Sequence, residues 1–391
     1  MSSSPQRVRL RQLTLNSYRN YPHFRLDLEA AHLVLSGKNG VGKTNILEAI
    51  SLLSPGRGLR RAAYSEIIHV SPEASAGLLS ENLARQVQQD FVVHARLNNP
   101  LYGDIGIGTA SVRTPSGEIG RRMQINAAAQ PIDHILEYCR VIWLTPSQDG
   151  LFSGSAGERR RFLDRLVLSI EPSHGRSVRD YEKAMRARNK LLTGEKHNIH
   201  WLASIERQMA ALGVAIASAR WQLVDQLGAL VVQGHHDAFP SALMMLDGML
   251  ERQLSQGQPA LDVEEAFCAA LAKSRPQDRL SGRTTIGPHR SDLKIIHREK
   301  NIAAALASTG EQKALLTGII LSHTRLTSLL SGFTPLLLLD EITAHLDQLR
   351  VGALFELIDD MGVQAFLTGT ERSLFAHLEG RGQFVTLTEN L

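Results

Sequence analysis

The stretch GKNGVGKT, Gly37 to Thr44, sets three glycines, two lysines and a final threonine in the spacing of a phosphate-binding loop. Glycines let the backbone bend around phosphate oxygens, Lys43 reaches the terminal ones, and the Thr44 hydroxyl suits Mg²⁺. The chemistry is ATP or GTP binding. The candidate contacts are Gly37, Lys38, Asn39, Gly40, Val41, Gly42, Lys43, Thr44 and Asn45. Near the other end of the chain, LLLLDE closes an apolar run with Asp340 and Glu341. The first carboxylate can hold Mg²⁺, and the second is placed to orient or deprotonate the attacking water. An acidic strand end alone needs no such role, but paired with a phosphate loop it gains specificity.

Three further features are weaker taken singly. Gln148, in IWLTPSQDG, follows a strand-like run, where a glutamine could sense the metal or the attacking water. Thr368 and Thr370 end the last strand-like run, LTGT, which suits a γ-phosphate sensor and equally suits ordinary turn capping. Ser308 and Glu311, in ALASTGEQKALL, have the spacing of a capping box at a helix start. A helix N-terminus also favours anions, so Ser308 with Gly310 could clamp a γ-phosphate held by a second copy of the chain.

These groups need elements to hold them. RVRLRQLTLNSYRNY and AHLVLS read as strands, Val41 to Leu53 as a helix ended by Pro55 and Gly56, and residues 91–128 as an antiparallel patch. From about residue 166 the pattern becomes helical. Leu202, Ile205, Met209, Leu212, Ile216, Ala219 and Leu223 recur at alternating steps of three and four, the spacing of a packing seam. RTTIGPHRSDLKIIH, LLLL and VQAFLTG then read as strands again, the last two buried and parallel. Strands and helices alternate at both ends around a helical middle. The expected fold is therefore an α/β head assembled from both ends of the chain, residues 1–165 and 281–391, with an inserted helical lobe at 166–280.

The 391 residues exceed one ordinary core, and 43% hydrophobic with 21% charged residues describe a soluble globular chain. Two cysteines without metal-ligand spacing argue against a zinc or disulfide framework and fit a reducing compartment. The opening MSSSPQRVRLRQL lacks a signal-peptide core, and no run approaches the ~18 apolar residues of a membrane span. A cytoplasmic location is expected.

A net charge of +4 permits nucleic-acid binding without establishing it. Between Arg159 and Lys190, however, ten basic residues face four acidic ones, and Arg57, Arg60 and Arg61 come soon after the phosphate loop. A solvated helix face and contact with a phosphate backbone are both open readings. The second names Arg57, Arg60, Arg61, Arg176, Arg179, Arg186 and Arg188 as DNA contacts.

In this order the motifs resemble the ATP-binding-cassette superfamily, and in detail the bacterial RecF family over nearly the whole length. The distinctive pieces are SYRNY (17–21), GKNGVGKTNILEAI (37–50), GSAGERRRFLD (154–164), GPHRSDL (287–293), STGEQKALL (308–316) and LLLLDEITAHLD (336–347). The resemblance implies an ABC-type P-loop head that binds ATP and Mg²⁺, hydrolyses ATP slowly, and uses it to close a homodimer on DNA. It further implies recombinational repair of gaps and stalled forks, RecA loading with RecO and RecR, and a tie to the SOS response.

Carried over by position, Lys43 and Thr44 hold phosphate and metal, Asp340 and Gln148 the metal, and Glu341 activates water. Ser308, Gly310 and Gln312 complete the partner's site, and Asp347 communicates across the dimer. The chain departs from the pattern where Glu311 stands in the usual glutamine position, where TPSQD leaves Gln148 and Asp149 as alternatives, and where Ser291 replaces an aspartate. The leading function is an ATP-dependent DNA-binding repair protein with weak, DNA-stimulated ATPase activity. It would act on duplex, single-stranded or gapped DNA and away from membranes. The ATPase subunit of a membrane transporter is the alternative from another class, and a scaffold regulated by ATP is a third.

Overall fold

A computed structural model describes residues 6–69, 90–115, 117–194, 198–233, 238–344 and 346–388. The stretch 70–89 of the expected N-terminal head portion lies outside them. In chain order the strands are β1 (Arg9–Tyr18), β2 (Tyr21–Asp27), β3 (His32–Ser36), β4 (Val92–Asn99), β5 (Gly103–Arg113), β6 (Ile119–Ile125), β7 (Ala128–Gln130), β8 (Val141–Leu144), β9 (Ala242–Asp247), β10 (Asp292–His297), β11 (Ile302–Ala303), β12 (Leu336–Leu339), β13 (Gln364–Gly369) and β14 (Gly382–Thr386). The helices are α1 (Lys43–Ser51), α2 (Tyr64–Ile67), α3 (Ala156–Leu168), α4 (His174–Thr193), α5 (Ile199–Gln233), α6 (Met249–Ser255), α7 (Ala260–Ser281), α8 (Thr309–Ser331) and α9 (Gln348–Met361).

The chain forms two compact units, Met1–Gln148 with Thr324–Leu391, and Asp149–His323. In the first, a five-stranded parallel sheet runs in the order β14-β3-β13-β12-β8. Every residue of β3, β8, β12 and β13 is buried, as expected for strands covered on both faces. The register sets Thr368 of β13 beside Leu35 of β3, while the preceding Leu367 pairs with Leu339 of β12. The end of β13 thus lies between the strand that feeds the phosphate loop and the strand that feeds Asp340. A six-stranded antiparallel sheet, β2-β1-β4-β5-β6-β7, completes the unit. It includes the patch expected at 91–128, and the alternating burial along β4 is that of a sheet with one covered face.

In the second unit, α4, α5, α6 and α7 surround a core that includes Tyr181, Met209, Leu250, Phe267 and Leu271. Five of the seven seam positions on α5 are buried: Leu202, Ile205, Met209, Ile216 and Leu223. This unit is wider than the lobe expected at 166–280, because α3 and the small sheet β11-β10-β9 fold with the helices. Arg159 of α3, for example, is ion-paired with Asp292 of β10 at 2.8 Å. The helix α8 starts in this unit and ends in the other.

Candidate active site

The phosphate loop joins β3 to α1. Its glycines Gly37, Gly40 and Gly42 have φ of 145°, 88° and 103°, a region that side chains resist. At Gly42 a Cβ would also lie 2.5 Å from Tyr21 Oη and 2.6 Å from the Asn20 side chain. The SYRNY turn therefore braces the loop by contact that only glycine permits. Lys43 is buried and donates to the carbonyls of Gly37 and Lys38 at 2.6 and 2.9 Å. Burial pushes its pKa down, against the pull of the Glu341 and Asp340 carboxylates. Lys38, Asn39 and Gly40 are exposed, whereas Val41 is buried. Asn45 is spoken for by the protein itself: it donates to Asn20 at 2.7 Å and accepts from Arg60 at 2.6 Å. Both ends of its amide are thus engaged in this structure.

At the neighbouring strand ends, one chain of hydrogen bonds links four candidate residues. Thr44 Oγ1 donates to Asp340, 3.0 Å from Oδ1 and 3.1 Å from Oδ2. Thr368 Oγ1 donates to Asp340 Oδ1 at 2.7 Å and accepts the Glu341 backbone N–H at 2.9 Å. A hydroxyl has a single proton, and that of Thr368 is committed to Asp340. Thr368 thus links Asp340 to the Glu341 backbone in this structure, at the strand end where a γ-phosphate sensor is expected. Glu341 turns away from the strand line with φ of 49°, a left-handed conformation that costs about 1–2 kcal/mol outside glycine.

Gln148 comes four residues after β8. Its Oε1 accepts from the backbone N–H of Thr145 at 3.0 Å and lies 3.4 Å from the Thr145 hydroxyl. The oxygen meant for metal or water thus closes its own turn. Asp149, the alternative, falls in the other compact unit and lies 3.7 Å from Lys313 Nζ. The hydroxyl and carboxylate oxygens of Thr44 and Asp340 still form a donor set of the kind that Mg²⁺ takes together with substrate phosphates.

In the second unit, Ser308 starts α8 with a reciprocal capping box. Its backbone N–H and hydroxyl donate to Glu311 Oε2 at 3.1 and 2.9 Å, and the Glu311 N–H donates to Ser308 Oγ at 3.4 Å. Glu311 also pairs with Lys300, and chiefly for that reason its pKa falls to about 2. Its charge is held inside the cap rather than directed outward. Ser308 is exposed and Gly310 half-buried. Gln312 is buried and donates to the carbonyls of Ala305 and Ala307 at 3.3 and 2.8 Å. In this structure the Gln312 amide is thus turned to the segment just before α8.

Known proteins of matching sequence are replication and repair factors by name. A Brucella suis protein called DNA replication and repair protein RecF is 49% identical over 385 residues, 98% of this chain and 96% of its own. A Mesorhizobium japonicum protein of the same name is 50% identical over 98% of this chain and 97% of its own. The chain belongs to the RecF family. No protein-family model matches it. A solved structure of the recombination mediator protein RecF-ATPrS in the RecFOR pathway superposes with a TM-score of 0.82 at 21% identity, covering 99% of this chain and 98% of that one. An Smc head domain from Pyrococcus furiosus superposes with a TM-score of 0.52 at 16% identity, covering 98% and 94%. At these identities the likeness is one of fold, and the fold is the α/β P-loop ATPase head expected from the motifs.

Two RecF-family stretches gain structural content. In SYRNY, Arg19 makes a bidentate pair with the fully buried Glu48 of α1 at 2.8 and 2.7 Å, and Asn20 donates to Val41 O at 3.3 Å. These residues received no role from the sequence, although the motif itself was the available signal. In AHLD, Asp347 caps α9 by accepting the Arg350 N–H at 2.9 Å, and its side chain is 56% exposed.

The suspected DNA contacts divide. Arg57 and Arg61 are exposed, whereas Arg60, 42% exposed, is held by Asn45 and lies 3.6 Å from Glu48. On α4, Arg176, Arg179 and Arg186 are exposed. Arg188 is a correction. It is fully buried, donating to Glu206, Asp278, Thr284 and the carbonyl of Leu271 at 2.7–3.0 Å, and it ties helices together. A buried guanidinium so satisfied has no group left for a phosphate.

Proposed function

We propose that the chain is an ATP-dependent DNA-binding protein of recombinational repair. Slow ATP hydrolysis would control association of two heads and their hold on DNA. The observation that carries this reading is the chain Thr44–Asp340–Thr368–Glu341, which couples the phosphate loop to both acidic residues. Thr44 and Asp340 would hold Mg²⁺, which when bound supplies charge stabilisation to the phosphates. Lys43 would bind the terminal phosphate oxygens. Glu341 would orient the attacking water and accept its proton. Thr368 keeps Asp340 and the Glu341 backbone in place for those tasks.

The signature at Ser308 would complete the site of a second copy, with its helix N–H groups aimed by the capping box. Asp347 would lie at the same junction. Arg57, Arg61 and the exposed arginines of α4 would supply phosphate contacts. RecR, RecO and RecA are the proposed partners, in gap repair, replication restart and the SOS response. The names of the relatives favour this reading over the ATPase subunit of a transporter. No described helix is long and apolar enough to cross a membrane. A cytoplasmic site of action is part of the same proposal.

The test pairs sedimentation with binding to duplex, single-stranded and gapped DNA, with and without ATP, for the native chain and for Glu341→Gln. ATP should drive dimerisation and strengthen DNA binding. Glu341→Gln should keep the ATP-bound dimer while turnover falls by about 10²–10⁴-fold. Unchanged hydrolysis in Glu341→Gln removes Glu341 from the base role, and DNA binding indifferent to ATP removes the switch.

A further inference from the structure

The exposed side of α4 carries a pattern that a simple count of arginines hides. Arg176, Arg179, Lys183, Arg186 and Lys190 are all exposed and succeed one another at steps of three, four, three and four. At ~100° per residue they fill a sector about 80° wide. Tyr181, Ala184, Arg188 and Leu192 are buried on the opposite side of the helix. The two exposed acids, Asp180 and Glu182, fall at the two edges of the cationic sector, and Glu182 lies 3.8 Å from Arg186.

A face that merely meets water gains from opposite charges at these spacings, and like charges there destabilise a helix. Here each successive pair along the stripe is like-charged. Asp180 and Glu182 each stand three or four residues from two of these cations and offset that repulsion within the helix, but the sector itself holds cations alone and suits a polyanion lying along it. From Arg176 to Lys190 the helix rises about 21 Å, and one DNA strand carries a phosphate per ~3.4 Å of axis, so the stripe matches about six base pairs. Flexible cations at a regular pitch suit the backbone rather than base edges.

We infer that this stripe, including Lys183 and Lys190 and excluding the buried Arg188, is a contact surface for a nucleic-acid phosphate backbone. The inference rests on the DNA-binding reading above and gives it an address. Full-length protein with ATP is titrated against labelled duplex and single-stranded DNA at several salt concentrations. Replacing all five cations with glutamine should flatten the plot of log K against log salt for duplex by about 4.5, and Lys183→Gln with Lys190→Gln alone by about 1.8. Asp180→Asn with Glu182→Gln should tighten binding, a gain that misfolding cannot produce. ATP-dependent sedimentation should match the native chain in every variant, showing that the fold is kept. If the native chain binds DNA and the five-fold variant keeps its salt slope, the stripe is wrong and the repair reading stands. If the native chain binds no DNA, both fall.

Discussion

Two helix starts in this protein are written in nearly the same letters, Ser155-Ala156-Gly157-Glu158 before α3 and Ser308-Thr309-Gly310-Glu311 before α8. Both fold into a reciprocal capping box. At the first, the Ser155 N–H donates to Glu158 at 2.7 Å and the Glu158 N–H donates to Ser155 Oγ at 3.2 Å. They differ in how the neighbouring side chains are tied. After Ser155, Arg159 makes two 2.8 Å bonds to Asp292 and Arg160 donates to Ser291 O at 2.6 Å, so the helix start is stapled to a distant strand. After Ser308, Gln312 turns back to Ala305 and Ala307, and Glu311 pairs with Lys300. The box is therefore a local solution that says nothing about ligands. Apart from Lys313, which lies 3.7 Å from Asp149, the bonds named at the second start stay within its own neighbourhood.

The contrast can be broken most directly by putting the same bulk and charge at each start. Ser308→Arg should abolish ATP-dependent dimerisation while leaving ATP binding by the monomer intact. Ser155→Arg should leave the dimer in place. Equal loss in both, seen by sedimentation, would erase the distinction. Next in size is the staple: Arg159→Met removes the two bonds to Asp292 and the donors to the carbonyls of Phe152 and Gly154, and should lower stability by about 2–3 kcal/mol in urea unfolding, with the reduced midpoint as the readout.

A smaller change is expected at the Ser308 start. Gln312→Ala should cost about 1 kcal/mol, because it withdraws the donors that hold the turn before α8. If it abolished ATP-driven association while sparing stability, Gln312 would return to the partner-facing role. The finest test is electrostatic. Glu311 titrates below its unfolded value, so its contribution to the cap is complete above the ordinary glutamate range and fades as pH falls toward about 2. Lys300→Met should raise the Glu311 pKa in a carboxyl NMR titration and leave that of Glu158 unmoved. The Glu158 pKa is also lowered, chiefly by the Ser155 backbone N–H. A Glu311 value insensitive to Lys300 would mean that the pair does not form in solution.

Much of this was legible in sequence because it depends on local pattern. The phosphate loop, the buried runs of β12 and β13, the seam on α5 and the Ser308–Glu311 box each arise from spacing within a few residues. What escaped depends on direction. Arg186 and Arg188 are two residues apart and so face ~200° apart around a helix, one into water and one into a charged core, although a charge count treats them alike. Gln148 and Thr368 have the right chemistry at the right strand ends, but their hydrogen bonds spend it on Thr145 and on the two acidic residues. Arg19 and Glu48 meet only because the turn after β1 comes against α1, a pairing that no local spacing encodes.

The threonine at the end of β13 meets two unrelated demands. Its hydroxyl must give its proton to Asp340 and receive one from the Glu341 backbone, while its branched carbon fills a fully buried place in a parallel strand. Serine keeps the bonds and loses the branch. Valine keeps the branch and takes the acceptor away from the Glu341 backbone N–H. Among the ordinary amino acids no third side chain does both, so a survey of every substitution at Thr368 should find a position with almost no freedom.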